Sequence, residues 1–175
     1  MGQIILIGNH WPSRKGGALQ SEPYRMMAGE NLAYFVKAII ANTNPDIPIV
    51  ICGDFNDEPF DRSITEYARA TREKDRVISS TSNRLYNLMW SEIGLGKASH
   101  YFRGFPNMLD QFIVSKSIVK ENKFRVKSNS VKVLDYNEMK KPNSKEPWRH
   151  GRPSSKYNRD GFSDHFPLQM ILEEV

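Results

Sequence analysis

The apolar residues of this chain come in short runs, and most of those runs meet the same few polar side chains, which limits the fold before any other property does. Residues 3–8 are rich in Ile and Leu and lead to Asn9-His10-Trp11-Pro12, and residues 47–52 lead to Gly53-Asp54-Phe55-Asn56. Leu109-Asp110-Gln111 lies inside an apolar stretch, and Ser163-Asp164-His165 stands just before the terminal one. Runs this short suit strands, since helices need about ten or more residues. Residues 3–8 are therefore expected to form a buried strand.

Helices are expected between the runs. Leu32, Val36, Ile39 and Ile40 repeat at helical spacing, so residues 22–42 predict a helix with Pro23 in its first turn and Asn44-Pro45 as its stop. Pro59 predicts a second helix over 60–70, capped by Asp57. Residues 99–103, 108–115, 124–134 and 166–173 read as strands, and 75–95 as a turn-and-helix stretch. Strands and helices mixed in this order predict an α/β (α+β) sheet protein. Residues 136–161 are rich in Lys, Arg, Pro, Ser and Asn without periodicity and read as a long basic surface loop. A length of 175 residues suits one ordinary core, so residues 1–175 are expected to be one domain or part of one.

Composition narrows the partners. No apolar stretch approaches the roughly 20 residues of a membrane-spanning helix, and no signal-peptide pattern is visible, so the compartment stays open. Cys52 is the only cysteine, which excludes an intrachain disulfide, and its place in Ile49-Val50-Ile51-Cys52 predicts a buried thiol. The net charge is +5, but residues 114–160 hold 13 Lys and Arg against 5 Asp and Glu, a net of +8. Such a segment suits a polyanionic substrate, nucleic acid included, or is simply a solvated basic loop.

The polar residues are those needed to hold a divalent cation, orient a water and stabilise a phosphoryl transition state. An extended backbone would put Asp54 and Asn56 on one side and turn Phe55 into the core, although Asp-X-Asn after a strand also reads as a turn or helix cap. A carboxylate at Asp110, flanked by apolar residues, is costly unless paired, and histidine is its natural partner. Adjacent Asp164 and His165 can serve one site only where the backbone bends, which Gly161 permits. Pro12 stiffens the turn after His10.

Together these motifs resemble the endonuclease/exonuclease/phosphatase superfamily, the DNase I-like fold, across the whole chain. The longer forms Asn9-His10-Trp11-Pro12-Ser13-Arg14 and Leu109-Asp110-Gln111-Phe112-Ile113-Val114 look most like its bacterial members. The resemblance implies a two-sheet β-sandwich flanked by helices, and hydrolysis of phosphodiester or phosphomonoester bonds by in-line attack of water. It implies that His165 contacts the phosphate and is oriented by Asp110, that Asp54 aligns or deprotonates the water, that Asn56 holds a phosphoryl oxygen, and that His10 stabilises developing charge or assists the leaving group. Asp164 would bind Mg²⁺, with Mn²⁺ able to substitute, and Asn9, Arg14, Arg149 and Arg152 would meet the substrate. Trp148 and Tyr157 could stack on bases. The family's first half also supplies an early Asn, a principal Glu ligand and an acidic partner for the residue matching His10. None can be placed upstream of His10, so the chain is expected to lack the N-terminal part of the fold, exposing apolar surface and strand edges. A second reading follows: a catalytically incomplete half-domain that binds phosphate or nucleic acid, self-associates, or needs a partner chain.

Overall fold

The structure, a computed structural model, describes residues 2–151 and 157–175. Strand β1 (Ile5–His10) runs parallel to β2 (Ile49–Asp54), and helix α1 (Ala18–Asn42) is the crossover between them. β2 pairs antiparallel with β7 (Asp110–Val114), β7 with β4 (Leu85–Asn87), and β4 pairs parallel with β3 (Ala70–Thr71). The main sheet is thus ordered β1-β2-β7-β4-β3. Three two-stranded ribbons accompany it: β5 (His100–Phe102) with β6 (Phe105–Asn107), β8 (Phe124–Val126) with β11 (Leu172–Glu174), and β9 (Lys132–Val133) with β10 (Leu168–Gln169). Short helices α2 (Lys74–Ser79), α3 (Trp90–Gly94) and α4 (Lys116–Val119) fill the connections.

Because side chains alternate along a strand, the sheet serves two cores. Ile5, Ile7, Ile49, Ile51 and Ile113 belong to one cluster with Leu32 and Val36 of α1. Val50 and Val114 belong to another, with Ile118, Val126 and Leu172. Met89, Met108, Val133 and Phe166 form a third. No helix is long and apolar enough to cross a membrane among the described residues. The expected mixed α/β class is what the structure shows.

Several local expectations are corrected. The strand of residues 3–8 is not buried: β1 is an edge strand that alternates between half-buried and exposed, with Leu6 68% exposed, because no described residue pairs with its outer side. The helix expected from residue 22 begins at Ala18, which moves Pro23 out of the first turn. Only a π-turn, Ser63–Tyr67, forms where residues 60–70 predicted a helix, and Asp57 does not cap it. Its carboxylate instead lies 2.7 Å from Arg25 of α1 and accepts the Ser63 hydroxyl at 2.6 Å. The strands expected at 124–134 and 166–173 are each broken in two, β8 and β9 against β11 and β10. Ser130 fills the break by donating to Lys127 and accepting the Ile171 N–H. Cys52 is half-buried rather than buried, and that burial pushes its thiol pKa up.

Candidate active site

Strand register places the chemistry in one row. His10 lies opposite Asp54 in the β1–β2 pairing, and Asp54 lies opposite Asp110 in the β2–β7 pairing. All three share the sheet face that carries Val50 and Val114. A fourth residue comes from the far end of the chain. His165 forms a bridge with His100 of β5, and the Phe166 N–H donates to the Ser99 carbonyl at 2.7 Å. This brings the His165 Nδ1 to 2.6 Å from the Asp110 carboxylate. Ser99 also fixes Asp110, since its hydroxyl accepts the N–H groups of Leu109 and Asp110.

Asp54 and Asn56 converge through a left-handed turn rather than along an extended strand. Asn56 has φ 52°, its N–H donates to the Asp54 carboxylate at 2.8 Å, and its amide donates to the Trp11 carbonyl at 2.9 Å and to Asp54 at 3.1 Å. Gly53 is required just before: it has φ 126°, and a Cβ there would lie 2.0 Å from the Asn9 carbonyl oxygen. Phe55 is fully buried, as expected, in edge contact with Trp11 at 4.8 Å.

Burial raises the Asp54 pKa, and the neighbouring Asp110 charge adds to this, against the lowering effect of the Asn56 N–H and the two histidines. Burial alone would lower the His165 pKa, but the hydrogen bond to Asp110 and the charges of Asp110 and Asp54 together raise it. An imidazolium at His165 is therefore favoured beside two carboxylates. His100, whose ring centroid is 4.6 Å from that of His165, goes the other way. Burial, with the His165 charge, lowers it to about 4, so it is neutral near pH 7.

The remaining expected site residues are distributed differently. His10 is on the row but 81% exposed, with its Nε2 3.8 Å from Asp54. Asn9 points to the α1 side, where it accepts the Trp11 indole N–H at 3.0 Å. Arg14 is engaged internally: its guanidinium donates to the Asn56 carbonyl at 2.7 Å, to Asp61 at 3.0 Å and to Asp57 at 3.3 Å, clamping the loop after β2. Arg149 forms an ion pair with Asp164. Arg152 lies outside the described residues, while the Tyr157 ring is tilted against that of His150, with centroids 5.5 Å apart. The sequence did not point to His100, whose only signal there is a place on a short strand.

Among the described residues, two groups of donor atoms could hold a cation, each with its atoms within 4.8 Å of one another: Asp54, Asp110 and His165, and His100, Asp164 and His165. The first group is already joined by the Asp110–His165 hydrogen bond. Asp164 is the more open carboxylate, with a side chain 41% exposed. A single such carboxylate suits a cation that keeps waters and substrate oxygens as its other ligands, which is how Mg²⁺ is commonly held.

Carboxylates, an amide and histidines are thus gathered at the ends of three adjacent strands in the mixed sheet of a DNase I-like fold. The sequence matches the profile of the Endonuclease/Exonuclease/phosphatase family over residues 2–174, and the chain belongs to that family. No curated protein sequence matches it. Among solved structures it is similar to the human Nocturnin catalytic domain with bound sulfate anion, at 20% identity and a TM-score of 0.55, covering 99% of this chain and 48% of that one. It is similar also to a mannosyl-6-phosphatase of Bacteroides thetaiotaomicron, at 17% identity and a TM-score of 0.54, covering 98% and 52%. The chain thus spans about half the length of each structure, and the likeness is one of fold.

Proposed function

We propose that the chain carries the phosphate-binding and water-activating part of a divalent-metal-dependent phosphoesterase site. The Asp110–His165 pair at 2.6 Å, set in register beside Asp54, carries this reading. His165, whose pKa is raised against the effect of burial by the Asp110 hydrogen bond and the two carboxylate charges, donates to a phosphoryl oxygen and stabilises the charge that develops on it. Asp54, whose raised pKa makes it a better base, accepts the proton of the attacking water. Asn56 acts as a positioning residue, since its N–H and amide hold the Asp54 carboxylate. His10, exposed at the end of the row, faces the leaving group. Asp164 would hold a Mg²⁺ or Mn²⁺ ion, which would polarise the phosphoryl group. The basic stretch from residue 114 to 160 favours a polyanion such as nucleic acid, whose binding would then weaken with added salt.

The test is hydrolysis of bis-p-nitrophenyl phosphate and of single- and double-stranded DNA with Mg²⁺, Mn²⁺ or chelator. Asp54→Ala and His165→Ala are each expected to lose about 100-fold or more in rate while keeping their circular dichroism. Full activity in both purified variants would overturn the assignment.

A second reading is favoured by the flank of the sheet. The edge of β1 that no described residue pairs with, Leu6 at 68% exposure and the exposed Leu19, Met27, Tyr34 and Phe35 of α1 suit a chain that works only when another polypeptide covers them. Turnover that rises more steeply than in proportion to protein concentration, together with a concentration-dependent mass by light scattering, would support it. A monomer with proportional turnover would oppose it.

A further inference from the structure

Away from the His10–Asp54–Asp110 row, beyond β3 and β4, lies a cavity of about 480 Å³ lined by four arginines, Arg69, Arg72, Arg76 and Arg84, with Phe60 and Trp90. Its two carboxylates are already engaged: Glu66 lies 3.2 Å from Arg62, and Glu73 lies 3.8 Å from Arg76. Among the described residues no carboxylate forms an ion pair with Arg69, Arg72 or Arg84. The Arg69 guanidinium donates to the Ser82 hydroxyl, at 2.9 Å, from a backbone held at φ 63°. Arg72 lies over the Trp90 ring, 5.2 Å from its centroid. Burial, with smaller contributions from the charges of Arg76 and Arg69, lowers the pKa of Arg84 against the opposing charge of Glu73.

Four arginines against two carboxylates leave an excess of like charge that raises the energy of the empty cavity, and a multivalent anion relieves this. Guanidinium forks match phosphoryl oxygens in geometry as well as in charge. Phe60, 56% exposed and 6.3 Å from Trp90 between ring centroids, offers an apolar face beside them. The volume falls in the range of small-molecule sites. We propose that this cavity binds a nucleoside diphosphate, with its phosphoryl groups on Arg69, Arg72 and Arg84 and its ring against Phe60. The site is separate from the hydrolytic row, although Pro59 and Phe60 continue the loop that begins at Asp54.

The test is a fluorescence titration of the full chain with ADP in EDTA, following Trp90, with Trp90→Phe to assign the signal. A saturable change is expected, weakened about tenfold or more in Arg69→Gln/Arg84→Gln, as the loss of charge-assisted hydrogen bonds implies. The exposed single variant Arg72→Gln, which puts the fold at little risk, should also weaken it, and Asp54→Ala/His165→Ala should leave it unchanged. Adenosine alone should bind far more weakly. The proposal is overturned by the absence of a saturable change, by arginine variants that bind as tightly as the parent, by adenosine that binds as well as ADP, or by loss of binding in the Asp54/His165 variant. Because hydrolysis is scored separately, either conclusion can fail without the other.

Discussion

The loop that follows β2 and the flank formed by β1 and α1 are neighbours at one side of the sheet, yet they are built on opposite terms. In the loop nearly every polar group has a partner. Arg25 and Asp57, 1% and 4% exposed, form an ion pair at 2.7 Å, Arg14 clamps from the other side, and the buried Gln111 amide donates to the Asp57 carbonyl at 2.6 Å. On the flank, by contrast, a strand edge that no described residue pairs with and large apolar side chains face outward. The difference separates what the chain fixes by itself from what it leaves open. The position of Asp54 is over-determined from within, whereas the outer side of β1 is a template for further pairing.

The sharpest way to break this contrast is Arg25→Ala. It removes the buried partner of Asp57, leaving only the longer contact to Arg14 and the Ser63 hydroxyl, and is expected to cost about 3 kcal/mol, the low end for breaking a buried pair, measured by urea unfolding. Gly29→Ala should come next, because a Cβ on α1 there would lie 2.3 Å from the Ser63 carbonyl oxygen. Overpacking against backbone is expected to cost about 1–3 kcal/mol in the same assay. A third change leaves the fold in place and moves a titration. The His165 pKa, followed by NMR in chelator, should lie above the ordinary value and fall in Asp110→Asn. The sign follows from its raised folded-state pKa. The stabilisation is complete below the unfolded value of about 6.5 and is lost as pH rises through the folded value, and Asp110→Asn should flatten that dependence. Leu6→Ser, on the open flank, should change stability by no more than about 0.5 kcal/mol while reducing any self-association seen by light scattering.

The motifs at His10, Asp54, Asp110 and His165 could be picked out because each stands at the end of, within or just before an apolar run, and the runs around His10, Asp54 and Asp110 become adjacent strands. Legibility failed where long-range pairing decides the outcome. β4 is a three-residue strand inside the sheet, too short for any periodicity to announce. Residues 3–8 carry the composition of a buried strand, and only the strand order shows β1 to be an edge. Arg14 reads as a ligand for phosphate, but acceptors on Asn56, Asp57 and Asp61, distant in sequence, claim its guanidinium. Asp57 had the spacing of a helix cap, and the buried Arg25 took it instead.

The left-handed backbone at Asn56 has a consequence for what sequences this position can accept. Two unrelated demands meet there: a conformation that most L-residues avoid, and an amide that must reach both Asp54 and the Trp11 carbonyl. Glycine meets the first demand and fails the second, glutamine reverses that failure, and aspartate would meet the first but set a third carboxylate beside Asp54 and Asp57. Chain geometry and side-chain chemistry, each permissive alone, together leave the position close to a single solution.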